Sequence, residues 1–263
     1  ALLALVGSRT RALSERRLTE LAWLRSFHLD MVRGIPALYD LDLRLKVVDQ
    51  FADYTQVLSL GLPMVDRLWG PDQTPEMAKL ANDGIAQMVT KHPTRLRGLA
   101  HLPMQDPDAA ITELERVVKE YRFKGIEMGT SIEGLPLADQ KFRKVLKTAE
   151  QLGCFIFTHP YQCLAKGWLE PYYLSNFIGF PLDTTMMVAH LMFSGALDEC
   201  KNLKILLAHG GGFMPYQIGR FVHGHNVRHE PKVNNASSPR DLIRRFYFDA
   251  LTHDPQAARH LMI

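Results

Sequence analysis

Two histidines of this sequence each follow directly on a short apolar run. His159 follows residues 154–158, and His209 follows residues 203–208. The second run is bounded by polar residues and is too short for a buried helix, so it is predicted to be a strand of a parallel sheet, buried on both faces. The carboxyl ends of such strands are where α/β enzymes hold their reactive groups. Because imidazole is the usual neutral ligand of zinc and the usual general base near neutral pH, the pair predicts a metal or acid/base site.

A histidine at a strand end can also be no more than a hydrogen-bonded cap of that strand. His101 and Asp249 also follow predicted strands, and for one histidine alone the capping role is the favoured interpretation. His159 and His209 together favour function, since each precedes a Pro or Gly break. The glycines at 210–212 lack a Cβ and would let backbone or substrate approach His209 closely.

Other motifs of the chain are interpreted without chemistry of their own. The run of three glycines after His209 resembles the oxyanion loop of lipase-like hydrolases, but no G-x-S-x-G nucleophile motif follows it. His223 and His225 form an H-x-H pair at the end of a predicted helix, where residues i and i+2 do not share a face. They are predicted to form an exposed helix terminus on the rim of the site. The aromatic segment 168–180 is predicted to be a lid or a subunit contact.

The elements that would position these residues alternate between strands and helices from about residue 55 onward. Thr74-Pro75-Glu76 and Asp106-Pro107 are typical helix starts. Six strand–helix units follow one another without a long polar linker, which indicates a parallel sheet covered by helices. An open doubly wound sheet and most of an eight-stranded barrel both fit this pattern. The predicted strands are residues 57–60, 96–101, 125–128, 154–158, 203–208 and 246–248.

The composition is that of an ordinary globular protein, with 46% hydrophobic and 22% charged residues. A net charge of +3 and the lack of a basic run interleaved with aromatics argue against a nucleic acid partner. No apolar run reaches the roughly 18–20 residues of a membrane span, so no membrane partner is expected. The three cysteines form no C-x-x-C pair, which favours a reducing compartment and a cytoplasmic protein.

Five segments carry a specific resemblance in one register. They are Arg97–Pro107, Lys124–Thr130, Phe157–Tyr161, Leu207–Gly212 and Phe248–Pro255. Together they resemble the aminocarboxymuconate-semialdehyde decarboxylase family, a branch of the amidohydrolase superfamily, from about residue 44 to the C-terminus. The resemblance implies an α/β fold, the (β/α)8 TIM barrel of the metal-dependent hydrolases, as a single domain over residues 1–263.

The resemblance also implies roles for individual residues. His159 matches the family's metal-binding histidine after the fifth strand, and His209 matches the acid/base histidine after the sixth. Arg220 matches an arginine that binds the substrate carboxylate, often in the neighbouring subunit's site, which implies a homodimer. Arg33 matches a second carboxylate-binding arginine. The implied cofactor is Zn²⁺ or another divalent metal.

The sequence departs from the family's pattern at both ends and beside the metal-binding histidine. Residues 1–30 hold no H-x-H metal-binding pair, since His28 stands alone, and no G-[ST]-D-Y-P motif of the eighth strand precedes Ile263. About six of eight strands are therefore expected, in a barrel domain truncated at both ends. Tyr161 stands where the decarboxylases nearest in name have tryptophan.

The implied function is that of a metal-dependent, non-oxidative decarboxylase, or carboxy-lyase, which acts on an unsaturated or aromatic carboxylic acid. His209 would take a proton from metal-bound water, the resulting hydroxide would add to the substrate, and His209 would return the proton as carbon dioxide leaves. Arg220 would hold the carboxylate by two hydrogen bonds. The alternatives are a metal-dependent hydrolase or hydratase of the same superfamily, and an inactive truncated paralogue or dimer partner.

Overall fold

The chain divides into two compact units, one ending at His101 and the other beginning at Leu102. The structure is a computed structural model. It describes residues 34–38, 40–60, 64–161 and 167–262. Of the residues singled out in the sequence, His28, Arg33 and Cys163 lie outside this described part.

The first unit combines helices with a short parallel sheet. Its described elements are a 3₁₀ turn (Pro36–Leu38), α1 (Leu41–Val48), β1 (Gln56–Leu58), α2 (Val65–Leu68), α3 (Thr74–Lys91), β2 (Leu96–Gly98) and β3 (Ala100–His101). β1 and β2 pair in parallel, with Gln56 opposite Leu96. α3 begins at the predicted place, but the Thr74 hydroxyl does not cap it. That hydroxyl donates to the Gly70 carbonyl at 2.8 Å instead.

The second unit contains a parallel sheet whose strands alternate with helices. Its strands are β4 (Gly125–Met128), β5 (Ser131–Ile132), β6 (Leu135–Pro136), β7 (Phe155–Thr158), β8 (Lys204–Leu207) and β9 (Phe246–Phe248). Its helices are α4 (Pro107–Tyr121), α5 (Arg143–Gln151), α6 (Phe180–Phe193), α7 (Ala196–Glu199), α8 (Met214–Val227), α9 (Pro239–Ile243) and α10 (Pro255–His260). β4, β7, β8 and β9 lie in that order, all parallel, while β5 and β6 form an antiparallel hairpin.

An aspartate followed by a proline begins two of these helices, α4 and α10. The start of α4 at Asp106-Pro107 agrees with the prediction from the sequence. Asp106 accepts the amides of Asp108 and Ala109 at 3.0 and 3.2 Å and so caps α4. Asp254 caps α10 in the same way, accepting from the Gln256 amide at 2.9 Å. A carboxylate at this position also interacts favourably with the helix dipole.

Side chains along β7 and β8 alternate between two faces that are covered unequally. Ile156 and Leu207 are fully buried, whereas Phe157 and Leu206 are partly exposed. Successive side chains of a strand point to opposite faces, so one face of these strands is covered more completely than the other. The prediction that the strand before His209 is buried on both faces is therefore wrong for β8. All residues of β4, in contrast, are buried.

The parallel register aligns the ends of three strands. The last residues of β7, β8 and β9 lie side by side. The residues that follow them, His159, Ala208 and Asp249, extend the ladder, since each donates its amide to a carbonyl of the neighbouring strand, at 3.0, 3.2 and 3.0 Å. Residues 159, 209 and 249 therefore emerge at the same edge of the sheet.

The predicted alternation of strands and helices is confirmed. Each of the six predicted strands is present within about two residues of its expected bounds, and only the segment 96–101 is split in two. None of the helices in the described part of the chain is long and apolar enough to cross a membrane.

His101 at the end of β3 is a buried cap of the kind expected for a single strand-end histidine. It is 1% exposed, and its Nε2 accepts a hydrogen bond from the Leu60 amide at 2.8 Å. The Asn82 side chain donates to the His101 carbonyl and accepts from its amide. Burial lowers the pKa of His101 to about 4, so the ring is neutral at pH 7, as an acceptor must be.

Acidification is expected to destabilise the protein through His101. Its pKa is about 4 in the folded chain and near 6.5 in the unfolded chain. The unfolded state then binds more protons between pH 6.5 and 4, and stability falls as the pH is lowered through this window, by on the order of 3 kcal/mol. We expect His101→Gln to be less stable than wild type at pH 7 but to lose less stability between pH 7 and 4, as measured by denaturant unfolding. Parallel pH profiles of the two proteins would contradict the assignment.

Candidate active site

The rings of His159 and His209 lie next to each other at the carboxyl edge of the second unit's sheet. Their centroids are 5.0 Å apart and their planes are inclined at 62°. Both residues are half-buried. The Nδ1 atom of each ring is buried and has no hydrogen-bond partner among the described residues. The structure thus brings together the two histidines that the sequence pairs, each with a ring nitrogen available to a ligand or a proton.

Aromatic rings surround this histidine pair. Phe180 stacks on His209, with centroids 6.2 Å apart and planes inclined at 18°, and meets His159 edge-on at the same centroid distance. Phe157 also lies 6.2 Å from His159. Phe180 begins α6 directly after a π-helical turn at Ser175–Gly179, and such turns are frequent at functional sites. The aromatic contacts remove part of the imidazole surface from water.

Asp249 binds the backbone at the end of β8. Its Oδ2 accepts the His209 amide at 3.0 Å, and its Oδ1 accepts the Gly210 amide at 2.7 Å and the Leu251 amide at 3.1 Å. The sequence marks Asp249 only as a strand-end residue. Its partners could not be read from the sequence, because they depend on the pairing of β8 with β9.

Burial keeps both histidines neutral. It lowers the pKa of His159 to about 4, with a further lowering by His209 that the backbone of Pro160 and the carboxylate of Asp249 offset in part. Burial also lowers the pKa of His209, while Asp249 raises it and His253 lowers it. At pH 7 both rings therefore have a lone pair, which is the form that binds a cation or accepts a proton.

Because the three glycines after His209 have no Cβ, neighbouring residues pack closely against them. A Cβ at Gly210 or Gly211 would lie 2.8 Å from the Thr252 methyl or 2.6 Å from the Phe248 ring. A Cβ at Gly212 would overlap the Pro181 carbonyl at the start of α6. The close approach predicted at these glycines is thus made by backbone and side chains of the protein. All three glycines have positive φ angles, which favour glycine over any other residue.

Tyr161 lies two residues beyond His159 and packs against Gly129. Its ring occupies the space that a Cβ on Gly129 would need, and its hydroxyl donates to the Ser131 carbonyl at 3.3 Å. Gly129 therefore has to be glycine for Tyr161 to pack where it does.

The other predicted site residues do not join the histidine pair within the described part of the chain. Arg220 lies on α8 with an exposed side chain, and it makes no hydrogen bond or ion pair with a described residue. Arg33 lies outside the described residues. The prediction of an exposed helix terminus at the H-x-H motif is wrong for His225, which is 6% exposed, and correct for His223. The two side chains point to different sides of the helix because residues i and i+2 do not share a face.

A metal ion bound by protein side chains usually has three or more ligands. Within residues 34–38, 40–60, 64–161 and 167–262, no group of three or more His, Cys, Asp or Glu side chains could hold one. The histidine pair nevertheless fits a cation in its chemistry, because two neutral imidazoles have buried nitrogens without partners there.

The fold and site define a class of protein. Residues 49–263 match the family model described as Amidohydrolase (Amidohydro_2). Since this match covers most of the sequence, the chain belongs to this amidohydrolase family. The α/β fold of the TIM-barrel type, predicted from the resemblance, is confirmed by this match and by the structural similarity below.

Individual relatives extend the comparison. The chain is 34% identical over 226 residues to 2-amino-3-carboxymuconate-6-semialdehyde decarboxylase of Dictyostelium discoideum, covering 85% of this chain and 63% of that protein. It is 35% identical over 196 residues to gamma-resorcylate decarboxylase of Polaromonas sp., covering 69% and 59% respectively. The chain thus spans about three fifths of the length of these relatives. The resemblance to this decarboxylase branch is confirmed.

A solved structure shows the same fold. The crystal structure of dihydroxybenzoic acid decarboxylase from Polaromonas sp. JS666, with bound manganese and the inhibitor 2-nitroresorcinol, superposes with a TM-score of 0.77 at 29% identity. The similarity covers 84% of this chain and 70% of that one.

Gly212→Ala is expected to destabilise the protein strongly. Gly212 has φ +65° and ψ −131°, a conformation nearly closed to other residues, and its Cβ would also lie 2.8 Å from the Thr185 hydroxyl. We expect a loss of roughly 2–4 kcal/mol in the free energy of unfolding. Gly224→Ala on α8 is the control: no atom lies within 4 Å of its added Cβ, and a gain of about 0.5–1 kcal/mol is expected. Equal effects of the two substitutions in denaturant unfolding would contradict this account of the turn.

Proposed function

We propose that the protein is a divalent-metal-dependent, non-oxidative decarboxylase of an unsaturated or aromatic carboxylic acid, with residues 1–263 belonging to one barrel domain. The observation that carries this proposal is the pair of neutral imidazoles 5.0 Å apart, each with a buried nitrogen that has no partner among the described residues. Relatives named as decarboxylases of carboxylic acids support it.

His159 is the residue that would hold the metal. With a pKa of about 4 it is neutral at pH 7 and needs no deprotonation before it binds a cation. A divalent cation bound there supplies Lewis acidity to the site. Imidazole suits zinc, and the similar enzyme from Polaromonas sp. JS666 contains manganese, so Zn²⁺ and Mn²⁺ are the ions to test.

His209 moves the proton in the proposed reaction. Burial lowers its pKa, so the ring starts neutral and can accept a proton. Decarboxylation breaks the bond between the carboxylate carbon and the adjacent carbon and leaves the electron pair on the latter. His209, having taken up a proton from water, delivers it to that carbon as carbon dioxide leaves. The product then has a hydrogen in place of the carboxylate.

Arg220 binds the substrate carboxylate from a second subunit in this proposal, and Arg33 is a second carboxylate ligand. The side chain of Arg220 is exposed and available on α8, where Tyr216 is also 82% exposed. The aromatic segment 168–180, predicted to be a lid or a subunit contact, exposes further large aromatic side chains, among them Trp168 at 92% and Tyr172 at 87%. Exposed aromatic side chains are typical of contact surfaces, which supports a homodimer.

A reducing compartment, the cytoplasm, is proposed as the place of action. Cys154 and Cys200 are buried and free. Burial raises the pKa of both thiols, which keeps them protonated and unreactive. Free thiols of this kind are typical of proteins kept under reducing conditions.

His209→Asn is expected to lower kcat by about 10²- to 10⁴-fold, because proton transfer by a positioned side chain contributes that much. The measurement is carbon dioxide release from a panel of muconate-type and aromatic acids that includes gamma-resorcylate, with zinc or manganese added. His190→Asn, an exposed histidine on α6, is the control and should keep wild-type activity.

The same assay separates the alternatives. Water addition or bond hydrolysis without carbon dioxide would replace the decarboxylase by a hydratase or hydrolase. A wild-type chain that turns over no acid with either metal would favour the inactive paralogue or dimer partner and would overturn the proposed activity.

A mixing experiment tests Arg220 and the homodimer together. Arg220→Ala and His209→Asn should each be inactive alone. If Arg220 serves the partner's site, a mixed dimer has one intact site, and an equimolar mixture should recover about a quarter of wild-type activity, since half of its dimers are mixed. An inactive mixture whose subunits demonstrably exchange would show that Arg220 does not act across subunits.

A further inference from the structure

We infer that Asp249 is a positioning residue of this site, which sets the direction of the His209 imidazole by binding the backbone amides of His209 and Gly210. The inference rests on the acid/base role proposed for His209. Asp249 makes no contact with a ring nitrogen in the described structure; its hydrogen bonds are with main-chain amides. It therefore acts on the chemistry through the backbone.

Both oxygens of the Asp249 carboxylate are used in this arrangement. Oδ2 accepts from His209 at 3.0 Å and Oδ1 from Gly210 at 2.7 Å. Hydrogen bonds to a charged acceptor are stronger than neutral ones, and two parallel bonds also fix orientation. Two consecutive peptide groups are thereby held by one rigid side chain.

The backbone held in this way is strained. Ala208 is extended, with φ −70° and ψ 160°, and His209 then turns into the left-handed region at φ +55°. A residue with a Cβ is unfavourable there, and such conformations persist only where surrounding contacts enforce them. The three residues that follow are glycines, which adopt positive φ without this cost. A histidine among them indicates that its side chain is needed at this point.

The direction of the His209 ring follows from this turn. Because φ of His209 orients the Cα–Cβ bond, the left-handed turn determines where the ring lies, 5.0 Å from His159 and stacked on Phe180. An extended His209 would continue the strand and send its side chain elsewhere.

Asp249 is itself held firmly. Its amide donates to the Leu207 carbonyl at 3.0 Å, which continues the ladder between β8 and β9. A site residue supported from a strand end is more precisely placed than one on a loop. Asp249 also does not complete a metal-ligand set with the two histidines in the described part of the chain, where no group of three such side chains could hold an ion.

The test compares Asp249→Asn with Asp254→Asn. Asp254 has the same chemistry, a carboxylate that accepts a backbone amide at 2.9 Å, but it caps α10. In Asp249→Asn one carboxylate oxygen is replaced by an NH₂ group, which would face the backbone amide that the oxygen accepts from in the wild type. We expect kcat to fall roughly 10- to 100-fold, as for a misplaced catalytic group, with KM within about threefold. Asp254→Asn should leave both constants unchanged.

Two further variants separate positioning from other roles. In a His209→Ala background, Asp249→Asn should cause no further loss of the residual rate, because its effect passes through His209. Asp249→Glu keeps both acceptor oxygens and should recover part of kcat, which also covers the case in which the Asn variant fails to fold. Three results would each overturn the inference. They are a wild-type kcat in Asp249→Asn, an additive loss of rate in the double variant, and a loss of bound manganese in Asp249→Asn while the NMR signal of the His209 ring is unchanged.

A readout without activity keeps this inference distinct from the proposed function. With ¹³C-labelled histidine in the metal-free protein, Asp249→Asn should shift the ring signals of His209 and His159, since the His209 ring leaves Phe180, and leave the signal of the exposed His190 on α6 in place. Asp254→Asn should move neither signal. If wild type decarboxylates no acid, the proposed function fails, while these spectra still decide whether Asp249 positions His209. An unmoved His209 signal overturns the inference even in an active enzyme.

Discussion

The parallel pairing of β7, β8 and β9 is the constraint on which the site depends. The ladder fixes which residues lie opposite each other, and a slip by one residue would turn every side chain to the other face of the sheet. Because the three strands end in step, His159, His209 and Asp249 leave the sheet at one edge, although they lie far apart in the sequence. The two rings and the carboxylate then assemble without a long loop.

Burial alone does not distinguish His101, which binds the backbone, from the two histidines proposed to act in the reaction. His101 and His159 both have a pKa of about 4, lowered first of all by burial. The difference lies in their hydrogen bonds: Nε2 of His101 accepts the Leu60 amide, whereas Nδ1 of His159 and of His209 has no partner among the described residues. A buried polar atom without a partner is costly, so its presence in a pair at a strand end favours binding or catalysis over capping.

The turn after β8 determines both the packing around it and the position of His209. Gly211 and Gly212 allow Phe248 and the start of α6 to approach, and α6 in turn brings Phe180 over the histidines. The same turn holds His209 in a left-handed conformation.

The sequence by itself determined the strands, the helix starts, the family and the pairing of His159 with His209, because these follow from local apolar patterns, turn residues and motif order. Only the tertiary structure decided the hydrogen bonds of Asp249, the neighbours of Gly212 and the burial of His225. Those properties depend on which strands pair and which helices pack together, and contacts between residues remote in the chain leave no local pattern. The same reason separates His101 from the histidine pair. Each of the three histidines lies at the end of a strand, but only in the folded chain does the Leu60 amide reach the ring of His101, while Nδ1 of His159 and of His209 has no described partner.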